Sequence, residues 1–229
     1  MKKNYLIIAL SLLCIIGHSQ QLSQVGFSKE SVFSWFSLST NQNILIRISD
    51  DGKILESGTE QQSLINRNVF DQKLLPYLGR VDYYAQQSDS AFRGKVKSIG
   101  TCYFTYYPSS EYPEKIGKIK TAGSLSFDYY GSFEDALIAG KIKSIGSNTI
   151  SYFTSLDNDA LKGKLKMVGR SSINYYSTFD DILIRGKMKS IDSYQYTWYT
   201  TYDRKEFAGR LKYGNQRQLI NGINYIILW

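Results

Sequence analysis

The stretch that decides the fold is GKIKSIGSNTISYFTSLDNDALK, residues 140–162, followed without a gap by GKLKMVGRSSINYYSTFDDILIR, residues 163–185. The two copies agree in a leading Gly-Lys-apolar-Lys, a paired aromatic about halfway, and an acidic cluster beyond it. The same frame carries Gly94, Gly117, Gly140, Gly163, Gly186 and Gly209, each 23 residues after the last. A degenerate earlier copy starts at Asp71 and keeps Tyr83-Tyr84 where later copies have Tyr106-Tyr107, Tyr129-Tyr130, Tyr152-Phe153, Tyr175-Tyr176 and Trp198-Tyr199. A fixed period of this kind marks stacked supersecondary units.

Within one copy, numbered from its glycine, two segments are rich in β-branched and aromatic residues. Leu183-Ile184-Arg185-Gly186-Lys187-Met188-Lys189-Ser190-Ile191 reads as a first strand, and Thr149-Ile150-Ser151-Tyr152-Phe153-Thr154-Ser155 as a second. A polar, usually glycine-led turn (Gly146-Ser147-Asn148) lies between them. An acidic turn (Glu134-Asp135, Asp157-Asn158-Asp159, Asp180-Asp181) follows. A helical period does not fit. The expected fold is all-β: an antiparallel meander of 23-residue β-hairpins, as an extended or rolled sheet, without substantial helix.

Because strand neighbours alternate between faces, turn length decides which side chains share a side. A three-residue turn at positions 7–9 groups the apolar position 3 with positions 11 and 13. It groups the lysines at positions 2 and 4 with position 12 and the aromatic at position 14, and sets Lys120 across from Asp128. A two-residue turn would instead oppose Lys143 to Ile150. The three-residue turn separates apolar from polar and is the expectation.

Met1-Lys2-Lys3, an apolar run over 5–16 and Gly17-His18-Ser19 read as a secretory signal peptide, residues 1–19. The run is too short for the ~20 residues of a spanning helix. Cleavage would remove the only histidine, His18, and Cys14, leaving Cys102 alone; losing Lys2 and Lys3 takes the formal net charge from +8 to +6. The mature chain would then hold no Ser-His or Cys-His pair and no histidine metal ligand. Residues 20–70 fit an N-terminal β capping region, 71–208 six hairpin repeats, and 209–229 a C-terminal capping repeat, since arrays need atypical ends. Within the first of these, Asp50-Asp51-Gly52 between apolar runs is a hairpin signal.

The Gly-Lys-Ile-Lys-Ser-Ile-Gly and Tyr-Tyr pattern resembles small exported bacterial proteins of this same repeat type. That resemblance implies a secreted location and assigns no activity. In architecture alone the hairpin period is similar to MORN repeats, although the spacing of glycines and aromatics differs.

The chain is expected to be non-enzymatic and exported, in the periplasm, at the outer-membrane surface or outside the cell. Its role is structural or one of binding at the envelope. Lys118, Lys120, Lys141, Lys143, Lys164 and Lys166, with Tyr130, Phe153, Tyr176 and Tyr199, form the candidate binding ladder for an anionic polymer or glycan. An anionic polysaccharide or another envelope protein is the expected partner. Nucleic acid fits the charge but not the location. No residue is assigned as catalytic, metal-binding or cofactor-binding. Alternatives are an outer-membrane β-barrel, suggested by Tyr225, Ile227 and Trp229 alternating at the end, and a carboxylate-dependent glycoside hydrolase.

Overall fold

A computed structural model describes residues 20–61 and 73–228. The expected signal peptide, most of the stretch before Lys73, and Trp229 lie outside the described residues. The described residues are all-β, with one short 3-10 turn among them at Lys205–Phe207. No helix among the described residues is long and apolar enough to cross a membrane.

The repeats make an 11-stranded antiparallel sheet. Its strands are β6 (Val81–Tyr83), β7 (Val96–Ile99), β8 (Cys102–Tyr106), β9 (Ile119–Ala122), β10 (Leu125–Tyr129), β11 (Ile142–Ile145), β12 (Asn148–Tyr152), β13 (Leu165–Val168), β14 (Ser171–Tyr175), β15 (Met188–Ile191) and β16 (Tyr194–Gln195), each beside its chain neighbour. The sixth repeat and the Gly209 copy contribute the pair β17 (Thr197–Trp198) and β18 (Leu211–Tyr213). The residues just before each glycine, assigned to a strand from sequence, are turn instead.

A second sheet of seven strands joins both ends of the chain. It contains β1 (Gln21–Phe27), β2 (Phe33–Ser39), β3 (Leu45–Ile48), β4 (Ile54–Thr59), β5 (Leu75–Pro76), β19 (Arg217–Ile220) and β20 (Ile223–Ile227). Its one parallel pairing, β1 with β20, brings the N- and C-terminal segments together. The Asp50-Asp51-Gly52 turn forms where expected, between β3 and β4, with Gly52 at φ +81° packed too closely on Tyr129 to admit a Cβ. Asn221-Gly222, both at positive φ, joins β19 to β20 in two residues, as primed turns require.

The two sheets bury one common core. Phe27, Phe36, Leu38, Ile46 and Ile48 from the second sheet meet Ile119, Ile142, Ile145 and Ile150 from the repeats. Loops fix the layers at both ends of the strands: Ile142 N donates to Asp50 O (2.7 Å), Met188 N to Ser31 Oγ (2.9 Å), and Thr101 N to Gln42 Oε1 (3.1 Å). The N-terminal segment therefore covers the face of the array. Among the described residues, the two strand orders end in edge strands β6 and β16, and β5 and β19.

The turn between the hairpin strands corrects the expected register. Ile145 pairs Asn148 and Ser144 pairs Thr149, which leaves a two-residue turn at positions 7–8. Its first residue has positive φ: Gly100, Gly123, Gly146 and Gly169 near +57°, and Asp192 at +48°. That register would carry Lys143 opposite Ile150, but the hairpin pairing stops at the pair of Ser144 with Thr149, and in the ladder with the preceding repeat Lys143 is bulged out. Asp128 faces Ser144 and Tyr129 faces Ile142, so Lys143 is the extra residue. Lys97, Lys120, Lys166, Lys189 and Lys212 are skipped in the same way, at position 4 of every repeat. The bulge lets positions 3 and 6, three residues apart, both face the core. Ile142 and Ile145 are each fully buried.

Candidate functional site

The bulge splits the lysine ladder into two columns. Position-2 lysines turn along the edge of the core. Lys141 Nζ donates to Gly163 O (3.1 Å) and Lys187 Nζ to Gly209 O (2.7 Å); Lys95 and Lys118 reach Gly117 O and Gly140 O in the same way. Each also lies over the position-13 ring of its own repeat, at 5.4 Å for Lys95 on Tyr106, 5.0 Å for Lys118 on Tyr129, 4.9 Å for Lys141 on Tyr152, 5.3 Å for Lys164 on Tyr175 and 4.8 Å for Lys187 on Trp198. Burial holds the Lys95, Lys118 and Lys164 ammoniums below their ordinary pKa. Lys141 and Lys187 also pair with Asp50 and Glu30 of the second layer (3.0 and 2.7 Å). These lysines tie one repeat to the next, and in two cases to the covering sheet.

Position-4 lysines point the other way, onto the outer face. Each extends over the position-14 ring of the preceding repeat: Lys120 over Tyr107 (5.7 Å), Lys143 over Tyr130 (5.3 Å), Lys166 over Phe153 (5.0 Å), Lys189 over Tyr176 (5.5 Å) and Lys212 over Tyr199 (5.2 Å). The rings are fixed from below. Tyr130 Oη donates to Ile150 O (2.8 Å) and Tyr176 Oη to Tyr196 O (3.1 Å), and Phe153 packs edge-on to Tyr175. Tyr130, Tyr176 and Tyr199 are half-buried and Phe153 is buried. The rings thus serve as rests for lysine stems, and the open stacking faces expected from sequence are largely covered. Exposed Ser126, Thr149 and Ser172 flank the column.

Of the ten candidate residues, Lys143 meets Tyr130 and Lys166 meets Phe153, whereas Lys120 rests on Tyr107 and the rings of Tyr176 and Tyr199 carry Lys189 and Lys212. Lys118, Lys141 and Lys164 belong to the other column. Lys97 and Lys189, which share the repeat's lysine pattern, and Lys212 of the Gly209 copy complete the outer row beyond the candidate set. Asp128 pairs with Lys115 (2.6 Å), not with Lys120. One signal for the bulge was present in the sequence: apolar residues at positions 3 and 6, as in Ile142 and Ile145, violate strict alternation.

The acidic turns are internally engaged. Asp157 accepts from Thr154 N (2.6 Å) and Oγ1 (3.0 Å), and Asp180 from Ser177 N (2.6 Å) and Oγ (2.8 Å). Asp203 does the same with Thr200 and also takes Lys212 Nζ at 2.8 Å, the bond that contributes most to lowering its pKa to about 2. Asp135 and Asp181 accept from Ser155 and Thr201 of the next repeat. Cys102 is buried beside the core, and burial pushes its thiol up to about 11. A cleft of about 590 Å³, lined by Lys53, Tyr83, Lys95, Tyr106, Ile116 and Lys118 among others, opens between the 51–54 turn and the first two repeats.

No family model, curated protein or solved structure matches the chain.

Proposed function

We propose that this is a non-catalytic, exported β-repeat protein that acts at the cell envelope or outside the cell, binding an anionic polymer or glycan along its outer lysine row. The observation that carries this reading is the row itself. One bulged lysine per repeat, Lys97, Lys120, Lys143, Lys166, Lys189 and Lys212, lies in register across six hairpins, and five of the six are braced on an aromatic ring. Equivalent strands of successive hairpins lie roughly 10 Å apart, so the row offers a linear series of cations. A ring beneath the stem restricts each side chain before binding, which lowers the entropy lost when the ligand arrives. Exposed hydroxyls beside the row supply hydrogen bonds that a sugar backbone needs. A non-catalytic role accords with carboxylates that already cap turns or pair with lysines.

The two columns make the test selective. Replacing Lys120, Lys143, Lys166 and Lys189 with Gln should weaken retention on an anionic polysaccharide column and leave thermal stability nearly unchanged. Replacing Lys118, Lys141 and Lys164 with Gln should lower the melting temperature and leave retention in place. Unchanged retention of the first variant would sink the proposal.

A further inference from the structure

The acidic turns carry a feature that neither the core nor the lysine row uses. Position 17, at the tip of each turn, is Phe133, Leu156, Phe179 and Tyr202 in four successive repeats, with relative exposures of 101%, 95%, 94% and 93%. Side chains this exposed gain nothing from folding, and in water they are unfavourable. The turn does not require them, because the first two copies place Gln87 and Ser110 at the same position. Ile182 (67% exposed) and Leu137 (43%) widen the strip beside Phe179 and Phe133. A regular row of fully exposed apolar tips, one per repeat, marks an interaction site.

We infer that this edge is a membrane-docking edge, and that its four tips insert into the interfacial region of a lipid bilayer. Two observations favour a bilayer over other occupants. The tips are convex and mutually separate, one per repeat at roughly 10 Å spacing, so a deformable medium fits them better than a rigid partner. Leu156 has no ring, which argues against a row built for stacking on sugars. The charges beside the tips are mixed. The carboxylates next to three tips, Asp157, Asp180 and Asp203, fold inward onto backbone N–H and hydroxyl groups. Arg185, Arg204 and Lys205, in or beside the Phe179 and Tyr202 turns, are exposed, as are Asp159 and Glu206. Phe, Leu and Tyr tips are side chains that a bilayer interface accepts.

The tip side chains are distinct from the row lysines, although Glu134 and Asp203 beside two tips pair with Lys143 and Lys212, so each proposal is tested by its own substitutions. The full chain would be mixed with phosphatidylcholine vesicles, and with phosphatidylcholine–phosphatidylglycerol vesicles, and recovered by flotation. The test variant is F133S/L156S/F179S/Y202S, whose turns copy the polar residues of the first two repeats. The wild type should float with both vesicle types, more strongly with the anionic one. The variant should lose partitioning by roughly a hundredfold or more, from the apolar area removed, with unchanged melting temperature and unchanged retention on the polysaccharide column. The inference is overturned if the wild type does not float, if the variant floats equally well, or if only the K120Q/K143Q/K166Q/K189Q variant loses binding. It is also overturned if the tips instead drive lipid-independent self-association, seen as a tip-dependent dimer in sedimentation.

Discussion

Tyr152 and Tyr175 occupy the same position in consecutive repeats, yet their hydroxyls have different surroundings. Tyr175 Oη donates to Leu165 O at 2.9 Å, as Tyr129 does to Ile119 O and Trp198 Nε1 to Met188 O. Tyr152 Oη is buried with no partner among the described residues. A buried hydroxyl that lacks a partner costs free energy, whereas a made bond contributes about 1 kcal/mol net. Tyr175→Phe should therefore destabilise by about 1 kcal/mol, and Tyr152→Phe should be neutral or slightly stabilising. Urea unfolding of the two variants checks this, and equal losses would contradict it. The position-13 aromatics were legible from sequence as repeat markers. Their hydrogen bonds were not, because the acceptor lies ten residues back across the bulge.

At the scale of the strand, the bulge at position 4 accounts for both the buried apolar pair and the outward lysine. Removing Lys143 would leave Ile142-Ser144-Ile145, a regular alternation that still sends both isoleucines inward and lets 129↔142 and 128↔144 pair without a skip. Deletion of Lys143 is thus expected to preserve a cooperative fold. By contrast, Ile142→Ala, at a fully buried side chain, should cost about 2–5 kcal/mol. Denaturant titrations compare them, and a deletion as damaging as Ile142→Ala would mean that the bulge is a folding requirement. The hairpin, its strands and the Asp50-Asp51-Gly52 turn were readable because local propensity and turn chemistry set them. Turn length was misjudged because Lys143 was counted as an ordinary member of the alternation. The grouping of positions 3, 11 and 13 still emerged, through the bulge and not through a longer turn.

At the scale of the molecule, the second layer was not readable. Its attachments, such as Ile142 N to Asp50 O and Lys187 to Glu30, join residues far apart in the chain that share no pattern. The layer has a consequence at high pH. Burial raises the pKa of Tyr106, Tyr129, Tyr152 and Tyr175, and pushes Tyr196 and Tyr225 up to about 12. Folding favours these neutral phenols, so their contribution to stability is complete below the ordinary tyrosine value near 10 and is lost as pH rises beyond it. Lys95, Lys118 and Lys164, lowered by burial, work in the opposite sense but are fewer. Melting temperature should fall above about pH 10, with tyrosinate absorbance developing in two phases, the exposed rings first and the buried ones only on unfolding. A single phase with an unchanged melting temperature would contradict a core built on these rings.

The row of outer lysines is the molecule-scale feature on which the functional reading rests. From Lys97 to Lys212 it spans five repeat steps, roughly 50 Å. The direct measurement is the affinity of the protein for a length series of one anionic oligosaccharide, taken at several salt concentrations. Affinity should rise with oligosaccharide length until the ligand spans the row and then level off, and the salt dependence should steepen with each added lysine contacted. Affinity that is indifferent to both length and salt would contradict the account.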